Sequence, residues 1–142
     1  MMTTLVLLMG LSSLAQHGVV GKWKTIDDLT GKPISIVEIF ERRGRIYGKV
    51  IEIFDAKSRG KTCEKCPGED HGKPILGLTV IKGLVREGNE YTGGRILDPK
   101  HGKLYKCYIN LESKDRLKVR GYIGITMLGR TQYWHRVKSG AH

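Results

Sequence analysis

Turn-forming residues recur at short, regular spacing along this chain, and that spacing limits its folds more than any other feature of the sequence. Gly, Pro, Asn and Asp separate segments rich in Val, Ile, Tyr and Thr. No long stretch shows the 3.6-residue periodicity of an amphipathic helix. The 19 glycines are scattered through the chain, which also argues against long helices. The sequence therefore predicts an all-β protein.

Eight segments have the length and composition of strands. They are Val19–Ile26, Ile34–Glu41, Arg45–Asp55, Leu76–Arg86, Glu90–Leu97, Lys103–Glu112, Arg116–Thr126 and Arg130–Val137. Most are joined by short turns, which link antiparallel neighbours, so the expected strand order is a meander. A meander of this length removes its edges by closing on itself. We therefore predict an eight-stranded antiparallel up-and-down barrel, with an open β-sandwich as the alternative.

The first residues have the pattern of a secretion signal. Residues 1–15 are apolar, carry no charged side chain and end in Ser13-Leu14-Ala15, with small residues where signal peptidase cleaves. The apolar run is too short to span a bilayer as a helix, and no later segment is long enough either. The sequence predicts a signal peptide over 1–15, one barrel domain over 16–142 and a secreted or periplasmic protein. A buried N-terminal helix is the alternative.

The chain carries a formal net charge of +11, and this excess attracts polyanions. Candidate partners include an acidic component of the cell envelope and acidic proteins. Nucleic acid is not expected, because the chain is predicted to be exported and shows no helix-turn-helix pattern or array of alternating aromatic and basic residues.

Gly21-Lys22-Trp23 lies on the first predicted strand, and Trp134-His135-Arg136 lies on the last. These two local patterns resemble the lipocalins and their calycin relatives. In that family a Gly-x-Trp on the first strand is covered by an arginine from the end of the barrel. The resemblance implies a lipocalin-like barrel in which Trp23 plugs the floor and Arg136 stacks on its indole. The first and last strands of a closed barrel are neighbours, so the two side chains could meet.

A longer set of segments carries a second resemblance. They are Gly21-Lys22-Trp23, Gly31-Lys32-Pro33, Ile46-Tyr47-Gly48-Lys49, Gly72-Lys73-Pro74, Gly77-Leu78, residues 93–99, residues 102–105, residues 117–124 and residues 129–134. Through them the sequence is still more similar to a family of small exported bacterial proteins that is catalogued as a domain of unknown function. The resemblance covers about residues 19–137. It implies a lipocalin-like barrel and export, and it implies no known activity.

Cys63 and Cys66 form a Cys-x-x-Cys motif in the long loop Ala56–Pro74. Such a motif can be a structural disulfide, half of a metal site or a redox dithiol. No helix is predicted to follow it and no fourth metal ligand is evident, so a structural disulfide is favoured in an oxidising compartment. Cys107 is left as a buried thiol or as a partner for one loop cysteine. Loops of this length are often lids or binding loops, and a solvated connection is the alternative.

Polar side chains on the predicted strands are candidates for the interior of the barrel. We expect a ligand-binding group at Lys49, Glu52, Arg95, Tyr108, Arg120 and Tyr122. Arginines and tyrosines would hold the head group of an anionic amphiphile while an apolar wall holds its tail. In the alternative, Arg95 and Arg120 point outward or pair with Glu38 and Glu52.

Apart from the Cys-x-x-Cys motif, the histidine and serine patterns of common enzyme classes are absent from the sequence. None of the histidines forms a His-x-x-x-His pair, and no Gly-x-Ser-x-Gly motif is present. We therefore expect no catalytic residues, no metal and no cofactor. The favoured function is binding of a small hydrophobic or amphipathic ligand, anionic ones included. The alternatives are a basic module that docks on an acidic partner and a thiol-redox protein.

Overall fold

The chain forms a closed barrel of eight antiparallel strands in which each strand pairs with the next and the last pairs with the first. A computed structural model describes residues 18–124 and 128–138. The strands are β1 Gly21–Ile26, β2 Pro33–Arg42, β3 Arg45–Ile53, β4 Thr79–Glu87, β5 Glu90–Asp98, β6 Lys103–Ser113, β7 Arg116–Ile123 and β8 Leu128–Arg136. The prediction of an up-and-down barrel is confirmed, and the sandwich alternative is excluded. Within the described ranges the structure contains no helix that could span a lipid bilayer.

The strand positions agree with the sequence prediction except near the long connection and at the two ends of the chain. β4 begins at Thr79, three positions later than predicted, because residues 76–78 belong to the connection and the amide of Gly77 donates to the Val50 carbonyl. Leu128-Gly129, predicted as a turn, lies in β8 opposite Tyr122 and Ile123. The predicted signal peptide and the predicted strand end at Thr126 lie outside the described residues.

Side chains alternate between the inside and the outside of the barrel along most of each strand, as the pleat requires. Irregular pairing interrupts the alternation, for example at Ile36 and Val37, which are both buried. On β7, Leu117 and Val119 are buried, whereas Lys118 and Arg120 on the other face are only partly buried. The buried residues of neighbouring strands lie opposite one another, for example Leu117 and Trp134. The hydrophobic core is therefore the inner face of the barrel.

The two ends of the barrel differ. One end is crossed by residues 18–20 and carries the β2–β3, β4–β5 and β6–β7 turns. The interior near this end is filled by large side chains that are almost completely buried, namely Val19, Trp23, Ile39, Ile46, Leu84 and Leu117. The opposite end carries the β1–β2 and β5–β6 turns and residues 54–78. We call the first the closed end and the second the open end.

Arg136 ties the closed end together. Its guanidinium carbon lies 4.3 Å from the centroid of the Trp23 ring. The guanidinium donates hydrogen bonds to the carbonyls of Gly18 at 2.7 Å, Val20 at 3.1 Å and Lys114 at 2.9 Å. One side chain on β8 thus holds the segment before β1 and the turn between β6 and β7.

The Gly-x-Trp pattern has a direct structural reason at this end. Gly21 has a φ of +139°, and a Cβ added there would lie 2.8 Å from Arg136 Nη1. A larger residue would therefore displace the guanidinium from its carbonyls. The Trp23 indole N–H donates to the Val19 carbonyl at 2.8 Å, which satisfies the buried ring nitrogen.

We expect Arg136→Met to lower the free energy of unfolding by about 2–4 kcal/mol, because it removes several charge-assisted hydrogen bonds and the contact with the indole. Urea unfolding measures the change. The matched control is Arg42→Met, at an exposed position at the end of β2, which should change stability by less than about 0.5 kcal/mol. Equal stability of the two variants would contradict the role given to Arg136.

Candidate ligand-binding site

The open half of the barrel encloses a cavity of about 570 Å³. Its deep wall is apolar and is formed by Val37, Val50, Val80, Ile96, Val119 and Trp134. Its mouth is polar and is formed by the β1–β2 turn, the β5–β6 turn and the start of β8, with Asp27, Asp28, Asp98, Lys100, His101 and Arg130. A volume of this size lies in the range of about 300–1,000 Å³ that is usual for small-molecule sites.

On three strands the inward side chains become smaller from the closed end to the open end, which leaves room for the cavity. On β1 the order is Trp23 and then Thr25, and on β7 it is Leu117, Val119 and Gly121. On β2 it is Ile39, Val37 and Ser35. An eight-stranded barrel has room only for side chains or for one small ligand, so small residues leave the open half hollow.

The hydroxyls of Thr25 and Ser35 form a polar spot in the apolar wall. The hydroxyls of Thr25 and Ser35 lie 2.7 Å apart, and both residues are buried and line the cavity. Each hydroxyl provides a partner for the other, which offsets the cost of burying them. A ligand group at this depth could also hydrogen-bond to either oxygen.

The carboxylates at the mouth are engaged by protein groups. Asp28 forms an ion pair with Arg130, in which Oδ2 lies 3.0 Å from Nε, and Asp98 Oδ2 lies 2.7 Å from His101 Nδ1. Asp27 accepts hydrogen bonds from the amides of Leu29 and Thr30, and these bonds hold the pKa of its carboxyl below the usual value. The acids therefore stabilise the turns that shape the mouth.

The six residues predicted to line the interior do not line this cavity. The strand register puts their side chains on the outer face, because each alternates with inward neighbours such as Cys107, Ile109 and Val119. Arg95, Tyr108, Arg120 and Tyr122 lie together on the adjacent strands β5, β6 and β7, whereas Lys49 and Glu52 lie apart on β3. The prediction that these residues line the interior was wrong, and the alternative of an outward Arg95 and Arg120 fits the geometry.

The long connection does not line the cavity either. It packs outside the barrel, where Asp70 Oδ2 pairs with Lys82 Nζ at 2.9 Å and Cys63 Sγ lies 3.4 Å from the Pro99 carbonyl. Gly102 lies directly against it, since a Cβ there would come within 1.8 Å of the Lys65 carbonyl oxygen. The connection therefore supports the β5–β6 turn, which forms one side of the mouth.

Comparison with known proteins assigns the chain to a family. Residues 21–136 match the family described as "Uncharacterized protein conserved in bacteria (DUF2147)". The chain belongs to this family. None of the curated proteins matches its sequence.

The fold of this DUF2147 protein is shared with a solved structure from the human pathogen Helicobacter pylori, a protein described as belonging to the lipocalin family. The two are 24% identical, with a TM-score of 0.73, and the match covers 84% of this chain and 83% of the other. At this level of identity the likeness shows the lipocalin-like fold, as the sequence patterns predicted.

Two cysteines of this DUF2147 protein form a disulfide and the third does not. Cys63 and Cys66 are bonded to each other, as predicted, and both are buried. Cys107 is a free thiol on the inner face of β6, and its pairing with a loop cysteine is excluded. Burial raises the pKa of the Cys107 thiol to about 12.

We expect the Cys107 thiol to be unreactive in the folded protein at pH 8, because a thiol with this pKa forms almost no thiolate, which is the nucleophile. Mass spectrometry after treatment with iodoacetamide should show no modification without denaturant and one per chain in guanidinium, with the disulfide intact. Full modification of the folded protein would contradict the inward placement of Cys107.

The raised pKa of Cys107 also makes the free energy of unfolding depend on pH. Between the usual thiol pKa of 9.0 and about 12, the unfolded chain loses the Cys107 proton and the folded chain keeps it, so stability falls as pH rises. Cys107→Ala should flatten the decline in free energy of unfolding between pH 8 and pH 10.5, measured with urea. An identical decline in both proteins would contradict a strongly raised pKa.

Proposed function

We propose that the protein binds a small amphipathic molecule inside the barrel, with its apolar part against the deep wall and its polar head at the mouth. The observation that carries this proposal is the cavity itself, which is closed at one end by Trp23 and polar at the other end. Burial of an apolar tail against the valines, Ile96 and Trp134 would supply most of the binding free energy.

An anionic head group fits this mouth better than a cationic one. Each carboxylate there already accepts hydrogen bonds or an ion pair from the protein. Lys100 lies on the β5–β6 turn at the rim of the cavity, and its side chain is a donor that an anion can reach. The net charge of +11 adds a long-range attraction for anions.

A secreted or periplasmic location is part of the proposal. It is supported by the predicted signal peptide and by the Cys63–Cys66 disulfide, since disulfides persist in oxidising compartments. We also propose that the protein binds and does not catalyse. A redox role has little support. Cys63 and Cys66 are almost completely buried, and the motif is followed by the three-residue 3-10 helix Gly68–Asp70, which is too short to lower the pKa of a thiol.

Filling the cavity should abolish binding. We expect the wild-type protein to take up a fluorescent fatty acid, and Val50→Phe to weaken uptake at least about tenfold because the added ring occupies the space of the tail. Fluorescence titration measures both affinities. Val85→Phe is the matched control, since Val85 is exposed outside the cavity and the change should leave affinity unaltered.

Thermal unfolding checks that both variants are folded. The proposal fails when the wild-type protein, freed of any co-purified ligand, takes up no single-chain amphiphile. Equal uptake by Val50→Phe and wild type would also contradict it.

The head group can be tested with ligands that share one tail. Decanoate should bind more tightly than decanol and decylamine. Lys100→Met should weaken decanoate binding roughly threefold, the size expected for one exposed ion pair, and should leave decanol unchanged. Lys103→Met is the control, because Lys103 is exposed on the neighbouring strand but does not line the cavity. A preference for decylamine would exclude the anionic head.

A further inference from the structure

The outer surface of β5, β6 and β7 carries a group of residues that the cavity does not explain. We call the basic face the six outward residues Arg95, Lys106, Tyr108, Lys118, Arg120 and Tyr122. Arg95 lies opposite Lys106, which lies opposite Tyr122, and Tyr108 lies opposite Arg120. These positions hold four cations, two tyrosines and no acidic residue.

The arrangement costs stability when no anion is bound. Like charges at directly opposed positions of neighbouring strands repel, and Arg95 faces Lys106 in this way. Lys82, next in the same row, is neutralised by Asp70 from the long connection. Within residues 18–124 and 128–138, no carboxylate makes such an ion pair with Arg95 or Lys106. An anion lying across this row would relieve the repulsion.

Lys118 and Arg120 of the basic face are held by neighbouring side chains. Lys118 Nζ lies 5.6 Å from the centroid of the Tyr108 ring, and Arg120 Nη1 donates to Thr131 Oγ1 at 2.8 Å. The Tyr108 and Tyr122 rings are tilted by 53° with their centroids 6.2 Å apart. Because the two rings are tilted and Lys118 occupies one face of Tyr108, they do not form the parallel platform on which successive nucleobases stack.

The spacing of the cations suits a chain that carries anionic groups at regular intervals. Neighbouring strands are about 4.8 Å apart, so side chains on successive strands present charges at intervals of roughly 5–10 Å. None of the six residues is an aliphatic side chain that could insert into a lipid layer. Tyrosine hydroxyls and rings provide hydrogen bonds and apolar contact together, which matches the mixed surface of a sugar.

We propose that the basic face binds a linear acidic polysaccharide that crosses β5, β6 and β7. Carboxylates of the sugar chain would pair with Arg95, Lys106 and Lys118, and the sugars would lie against the tyrosines. This surface is on the outside of the barrel wall, so it does not depend on whether the cavity binds a ligand.

Polygalacturonate, which has one carboxylate per sugar, is the probe, and calorimetry measures its binding. The wild-type protein should bind it, and binding should weaken at least about tenfold between roughly 50 and 200 mM salt. The double change Lys106→Glu with Lys118→Glu should weaken binding at least about tenfold at low salt, and the neutral pair Lys106→Gln with Lys118→Gln should have a smaller effect.

The matched control is Lys32→Glu with Lys57→Glu, which changes the net charge by the same amount at exposed positions away from the basic face. It should retain most of the affinity. Circular dichroism and uptake of the fluorescent fatty acid report whether each barrel is intact. An equal loss in the control would show that net charge alone is responsible and would overturn the proposed site.

Three comparison ligands test the chemistry of the partner. Neutral dextran should not bind. Single-stranded DNA and vesicles that contain anionic lipid should bind more weakly than polygalacturonate at the same salt concentration. Tighter binding of either, or no binding of polygalacturonate at low salt, would overturn the assignment to an acidic polysaccharide.

Discussion

The contact between Trp23 and Arg136 is the interaction on which the barrel depends. Within the part of the chain that the structure describes, β1 and β8 share two paired positions, Trp23 with Arg136 and Lys24 with His135, so this seam has the shortest ladder seen there. Arg136 compensates with side-chain hydrogen bonds to Gly18, Val20 and Lys114, and it stacks on the indole. The sheet can close without a long final ladder because one arginine joins the chain segments that meet at the closed end.

Closure at one end leaves the other end free for a different task. Large side chains fill the end near the indole, and the small residues Thr25, Ser35 and Gly121 lie on the other side of the interior, so the hollow half rests on a packed half. Dense packing makes the floor rigid, while the turns around the mouth are held by Asp27, Asp28 and Asp98. The closed end therefore stabilises the barrel, and the open end gives access to the cavity.

Much of this architecture can be predicted from the sequence, because turn residues and alternation are local signals. The strand count and the closed meander follow from them, and the disulfide follows from the Cys-x-x-Cys spacing in a chain predicted to be exported. The sequence prediction missed the lining residues because it chose polar side chains for the interior and did not use the alternation of each strand to decide which face is buried. In β7, Leu117, Val119 and Gly121 share one face, and Lys118, Arg120 and Tyr122 share the other, so the apolar face already marked the inside. The mouth cannot be predicted from local sequence patterns, because the fold brings Asp28 of the β1–β2 turn next to Arg130 of β8.

The most direct test of the hollow, one-ended barrel uses the two tryptophans as reporters. Trp134 lines the cavity, and Trp23 lies in the closed end with its indole N–H bonded to Val19. In nitrogen-15 spectra of the wild-type protein titrated with decanoate, the indole signal of Trp134 should shift in a saturable way while that of Trp23 stays nearly constant. A larger shift at Trp23, or no shift at either indole, would contradict the account.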